Sequence, residues 1–91
     1  MIEVVLRPNV LSPAERREFC RKAKADRCVF EAAEMLAENQ PDTALNNLRD
    51  AISLVGPERS FLWLRHYAVT KFGVAGSAVD ALLRRVNARA A

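Results

Sequence analysis

The chain has 91 residues and a net charge of +3 at neutral pH, which is enough sequence for one small domain and too little for two. Hydrophobic residues make up 51% of it and charged residues 27%, a balance that excludes a disordered chain. The longest apolar run is Phe61–Leu64, so we expect neither a membrane-spanning helix nor a secretory signal.

The first predicted element is a short extended segment. Ile2, Val4 and Leu6 fall at every second position before Pro8 stops the run. Such alternation is typical of an edge strand, but no second strand is predicted to pair with it. We therefore expect residues 1–11 to form an extended arm that pairs across a dimer or lies as a loop.

A helix is predicted to follow this arm. Ser12 and Glu15 form a capping box, and Pro13 fits the first helical position. The helical pattern continues to about Glu38, and because Asp26 offers a second cap, one long helix and two shorter ones both remain possible. The expected apolar face of this stretch consists of Phe19, Ala23, Val29, Ala32, Ala33 and Leu36.

The next helix is predicted to begin at a cap provided by Asp42 and to end at Gly56–Pro57. It completes a helical support over residues 12–56, and its apolar stripe contains Leu45, Leu48, Ile52 and Val55. Two further helices are predicted within residues 58–89. Their inward positions are Phe61, Leu64, Ala68, Phe72, Val79, Leu82 and Val86. The predicted fold class is all-α, a single domain over residues 1–91 built as a small bundle of four to five short helices.

The segment 65–84 predicts two helices joined by a tight turn. Gly73 can supply the positive φ that a sharp turn requires, with Phe72 and Val74 anchoring it on either side. We expect a β-branched residue at position 73 to damage the fold, because it resists positive φ. The last helix should begin near Ala75 or Gly76.

Within this segment, Lys71-Phe72-Gly73-Val74 and Ser77-Ala78-Val79 resemble the helix-turn-helix of phage and plasmid repressors of the Cro and KorA/TrfB types. The resemblance covers residues 65–84. It implies a small DNA-binding transcriptional regulator whose last helix enters the major groove of double-stranded DNA. Carried over to this sequence, it implies base contacts by Ser77, Asp80 and Arg84.

The charge distribution fits a polyanionic partner near the C-terminal end. Residues 60–91 contain five Arg and Lys residues and one Asp. The expected contacts to the DNA backbone are Arg65, Lys71, Arg85 and Arg89. One short helix reads few base pairs, so we expect a homodimer on two half-sites about 34 Å apart.

A different class of function remains open, because only Ser77 and Arg84 are clear hydrogen-bond donors on the base-reading face. The alternative is a small helical inhibitor or adaptor from a phage or other mobile element that binds a protein and no DNA. Trp63 and Tyr67, four residues apart, form its possible protein interface, although they could instead pack on the first helices. The first helix is dense in charge, and Glu31, Glu34 and Glu38 are expected to form a solvated stripe.

No enzyme, cofactor or metal site is predicted. His66 is the only histidine and has no catalytic motif around it. Cys20 and Cys28 have no zinc-binding spacing and, on one helix, are too far apart for a disulfide. Two reduced thiols indicate a cytoplasmic protein.

Overall fold

The computed structural model describes residues 11–90, with side chains described over residues 11–88. All secondary structure in this range is helical, which confirms the all-α class. Its four helices are α1 (Pro13–Ala37), α2 (Pro41–Val55), α3 (Pro57–His66) and α4 (Gly76–Ala90), with a π-helical turn (Tyr67–Lys71) extending α3. The predicted strand at residues 2–6 lies outside the described residues.

The first helical region, for which the sequence allowed one long helix or two shorter ones, is a single helix. Ser12 and Glu15 form the expected capping box, and α1 then runs unbroken for 25 residues. It ends because Asn39 adopts a left-handed φ of 61°. The backbone N–H groups of Gln40 and Asn39 then donate to the carbonyls of Met35 and Leu36 at 2.8 and 3.1 Å, a Schellman motif.

The N-terminal part of α1 extends beyond the rest of the bundle. The Arg21 guanidinium donates to the carbonyl of Leu54 near the end of α2, at 3.0 Å, so earlier residues project past α2. The prediction that Phe19 and Ala23 belong to the core is therefore wrong: both are exposed, Phe19 to 65%, and the first buried residue is Ala25. None of the described helices is long and apolar enough to cross a membrane.

The core lies where α1, α2 and α3 meet, with α4 against the ends of α2 and α3. Among residues 11–88, half of the buried hydrophobic residues are alanines, which lets the helix axes approach closely but buries little surface per residue. The larger buried side chains therefore contribute most of the apolar stabilisation. They are Val29, Leu45, Leu48, Leu64, Val79 and Leu82.

The start of α2 differs from the prediction at its cap. Pro41 occupies the first helical position and Gln40 the N-cap, with no side-chain capping bond. Asp42 therefore lies inside the first turn and cannot cap the helix. Its carboxylate instead accepts a hydrogen bond from Arg85 of α4 at 2.8 Å, which links the two helices.

The connection between α3 and α4 is a short turn at the predicted glycine. Gly73 has a φ of 67°, as expected, and Phe72 and Val74 are half-buried against the core. The Val74 backbone N–H donates to the Ala68 carbonyl at 2.8 Å and closes the turn. This bond spans one residue more than a Schellman motif, because the helix reaches the turn through a π-helical segment.

Substitution of Gly73 is expected to destabilise the protein through backbone strain alone. A Cβ atom at position 73 meets nothing within 4 Å, but the positive φ is unfavourable for alanine and worse for valine. We expect Gly73→Ala to lower the free energy of unfolding by about 1–2 kcal/mol. Gly76→Ala is the matched control, since Gly76 is helical and its Cβ meets only the Arg65 guanidinium at 3.8 Å. Urea denaturation that ranks the two variants equally would contradict this assignment of the turn.

Candidate nucleic-acid interface and aromatic surface

The position of α4 is fixed by its inner face. Val79 and Leu82 are buried, and Leu83 and Val86 are half-buried against the core. These residues recur at helical spacing, so they define one side of α4 and leave the opposite side to solvent.

The outer face of α4 is formed by Ser77, Ala81, Arg84 and Ala88, at spacings of four, three and four residues. All of these side chains are exposed. Ala81 and Ala88 have short side chains, so the Arg84 guanidinium and the Ser77 hydroxyl extend furthest from this face. A surface of this shape can approach a base-pair edge closely, because no bulky side chain holds the helix away.

Two of the predicted DNA contacts are paired with each other. Arg65 on α3 donates to the carboxylate of Asp80 on α4, and each side chain is about half exposed. An exposed pair of this kind contributes about 0–1 kcal/mol to stability, so it supports the position of α4 that the buried inner face sets. It also offsets the repulsion that Asp80 would exert on phosphate.

The remaining predicted backbone contacts lie on α4 and on the π-helical turn that precedes it. Lys71 is exposed at the end of the π-helical turn, and Arg85 points toward Asp42 of α2. Within the described side chains, neither Lys71 nor Arg84 has an ion-pair partner. Arg89 lies on α4, but its side chain is outside the described residues.

A second exposed surface is formed by Phe30 of α1, Leu62 and Trp63 of α3, and Tyr67 of the π-helical turn, and we call it the aromatic surface. Tyr67 contacts Trp63 and Phe30 edge-on, with ring centroids 6.1 and 5.3 Å apart, and Phe30 contacts Phe72 at 5.2 Å. Trp63 is 38% exposed, and Leu62 beside it is 68% exposed. Tyr67 therefore packs on α1 through Phe30, and Trp63 remains partly exposed.

Phe30 was not identified as part of this surface from the sequence. It lies on a different helix from Trp63 and Tyr67, and local spacing relates only residues of one helix. The aromatic residues of α1 and of the α3 region share a surface because α3 packs beside α1.

Tyr67 is held by the first helix through its hydroxyl, which donates to the Asp26 carboxylate. This hydrogen bond and partial burial raise the pKa of Tyr67 to about 12, from a usual value of 10.0. Ionisation of the phenol would place two negative charges against each other, so the neutral form is favoured in the folded state.

The stability of the protein should therefore fall at high pH through Tyr67. Because the folded-state pKa is raised, this contribution is complete below pH 10 and is lost as the pH rises through about 12. Tyr67 is the only tyrosine, so tyrosinate absorbance measures its titration directly. We expect a midpoint near 12 in the native protein and a shift toward 10 in Asp26→Asn. A native midpoint at 10 would contradict the contact.

No cluster of metal-ligating side chains occurs within the described part of the chain. His66 is exposed beside Tyr67, with ring centroids 5.6 Å apart. Cys20 and Cys28 both lie on α1 as free thiols.

No protein-family model, curated protein or solved structure matches the chain.

Proposed function

We propose that the protein binds double-stranded DNA as a small transcriptional regulator, with α3 and α4 acting as a helix-turn-helix. The observation that carries the proposal is the outer face of α4, which is exposed and in which short side chains surround Arg84. It follows a four-residue turn in which Gly73 has a positive φ. The major groove is about 12 Å wide and admits one helix, so this face has the dimensions and the donors for base contacts.

Different roles follow for the charged residues around this face. Ser77 and Arg84 project outward and are the proposed base contacts. Asp80 is held by Arg65, so we propose that this pair positions α4 and that Arg65 adds positive charge near phosphate. The proposed phosphate contacts are Lys71, Arg85 and Arg89. Arg85 would exchange the exposed Asp42 carboxylate for a phosphate oxygen.

A homodimer is part of the proposal, because one outer face with two donor side chains specifies few base pairs. Two copies related by a twofold axis would read two half-sites about 34 Å apart. The two free thiols fit the reducing environment of the cytoplasm, where such a regulator would act.

The proposal is tested by selection from a pool of random duplexes. The protein is mixed with the pool at two salt concentrations, and retained DNA is sequenced. We expect an enriched and nearly palindromic site, with affinity falling by about one log unit per tenfold rise in salt for each phosphate contact. No retention even at low salt would contradict DNA binding.

A second candidate is a protein-binding inhibitor or adaptor that uses the aromatic surface. The specific observation in its favour is Leu62, which is 68% exposed beside the partly exposed ring of Trp63. Aromatic side chains are common in the centre of protein interfaces. The two candidates differ in the residues they need, since Leu62→Asp should abolish binding to a protein partner, while Arg84→Ala should leave it unchanged.

A further inference from the structure

The N-terminal part of α1 has exposed apolar residues and, apart from the Arg21 hydrogen bond to the Leu54 carbonyl, little tertiary cover among the described residues. From residue 13 to residue 24 no side chain is buried. Most helical stability in proteins comes from packing of an apolar face against another element. The projecting segment of about 12 residues would therefore be stabilised by a surface packed against it.

One face of α1 carries apolar residues along this projecting part and beyond it. Phe19, Ala23 and Phe30 lie at spacings of four and seven residues, which places them on one stripe. Phe19 is 65% exposed, Phe30 is 40% exposed, and Ala23 is exposed between them. Three further residues on this face are charged: Arg16 before the stripe, Arg27 between Ala23 and Phe30, and Glu34 after the stripe.

The charges along α1 are divided between its two halves. Residues 13–24 contain five Arg and Lys residues and two acidic ones. Residues 25–36 contain one Arg residue and three acidic ones. Glu18 is already paired with Arg21 and Lys22, so it does not cancel the charge of Arg16. One half of the helix is therefore basic and the other is acidic.

We infer that this face of α1 binds the same face of a second copy of the chain, with the two helices antiparallel. The basic half of each helix then lies on the acidic half of the other. A parallel pair would instead place like charges together. The charge distribution therefore specifies both the partner and its direction.

The antiparallel arrangement also brings the apolar residues into register. Phe19 and Phe30 lie at equal distances on either side of a midpoint between residues 24 and 25. In a twofold pair, Phe19 of each copy meets Phe30 of the other, and Arg16 approaches Glu34. Ala23 lies near the axis, where its small side chain allows the helices to approach. The inference gives the proposed homodimer its interface, but it rests on α1 alone and is tested without DNA.

The experiment is sedimentation equilibrium of the full chain from micromolar to millimolar concentration. We expect reversible formation of a species with twice the mass of 10.2 kDa. Arg16→Glu and Glu34→Arg should each weaken dimerisation by about tenfold, because each substitution acts twice in a twofold interface. The double variant Arg16→Glu/Glu34→Arg should return to within about threefold of the native dissociation constant, because the charge pair is restored with its sign reversed.

Two controls separate this interface from a general effect. Arg17→Glu makes the same charge change one residue later and about 100° around the helix, so it should leave dimerisation nearly unchanged. Phe19→Ala should weaken the dimer while Leu62→Ala, an equally exposed apolar truncation on α3, should not. Circular dichroism confirms that each variant keeps its helix content.

The inference is overturned if the native protein stays monomeric over the whole range. It is also overturned if the double charge variant fails to recover dimerisation. If the native protein is a monomer and Phe19→Ala lowers its stability, another segment of the same chain packs on the stripe. Absence of DNA binding with an intact dimer would contradict only the proposed function.

Discussion

Leu64→Ala is expected to lower the free energy of unfolding by about 2–5 kcal/mol. Leu64 is 0% exposed and is among the largest fully buried side chains. The core around it is rich in alanine, so few side chains are long enough to fill the cavity that the substitution leaves. The effect should therefore lie toward the upper end of this range. Urea denaturation monitored by Trp63 fluorescence measures it, since Trp63 is the only tryptophan.

Leu62→Ala is the matched control for this prediction. Leu62 lies two residues before Leu64 on the same helix, but 68% of it is exposed. Two residues correspond to about 200° around an α-helix, so one leucine faces the core and the other faces solvent. We expect the Leu62→Ala change to stay within about 0.5 kcal/mol. Equal effects of the two substitutions would contradict the orientation of α3.

Arg84→Ala is expected to reduce affinity for the selected DNA site by about 5- to 150-fold, the equivalent of 1–3 kcal/mol for a side chain that reads a base. The exposed Arg84 makes no ion pair within the described side chains, and alanine is the better helix former. Loss of binding would therefore not arise from unfolding. The measurement is a fluorescence anisotropy titration with the selected duplex and with a scrambled one. The preference between the two duplexes should decrease.

Arg85→Ala provides the comparison, because it removes the same type of side chain from the next position. Arg85 is turned toward Asp42 and is proposed to contact phosphate only. Its substitution should weaken binding to both duplexes alike and reduce the salt slope by about one. Unchanged affinity in Arg84→Ala would remove Arg84 from the interface.

The helix boundaries were largely predictable because they depend on local chemistry. The capping box at Ser12, the stop at Gly56–Pro57 and the positive φ at Gly73 all appear as expected. Each depends on residues within a few positions of one another, so the linear sequence contains the necessary information. The inward faces of α2, α3 and α4 followed from their spacing for the same reason.

One error is local, since Pro41 takes the first helical position and Asp42 therefore does not cap α2. The other errors concern features that depend on how far one helix extends along another. Phe19 has the spacing of a core residue, but α2 is too short to cover it. The pairs of Arg65 with Asp80 and of Arg85 with Asp42 join residues 15 and 43 positions apart. No local pattern specifies such pairs. The outer face of α4 was predictable from periodicity, whereas the partners that hold its flanking charges were not.

The central claim, that the outer face of α4 meets DNA, is tested most directly by chemical-shift mapping. A ¹⁵N-labelled sample of the full chain is titrated with the selected duplex at low salt, and the backbone amide signals are followed. We expect the largest changes from Lys71 through Arg84, strongest at Gly76, Ser77 and Arg84, with Leu62 and Trp63 little affected. Changes confined to α1 and to the aromatic surface, or no changes at all, would contradict the claim.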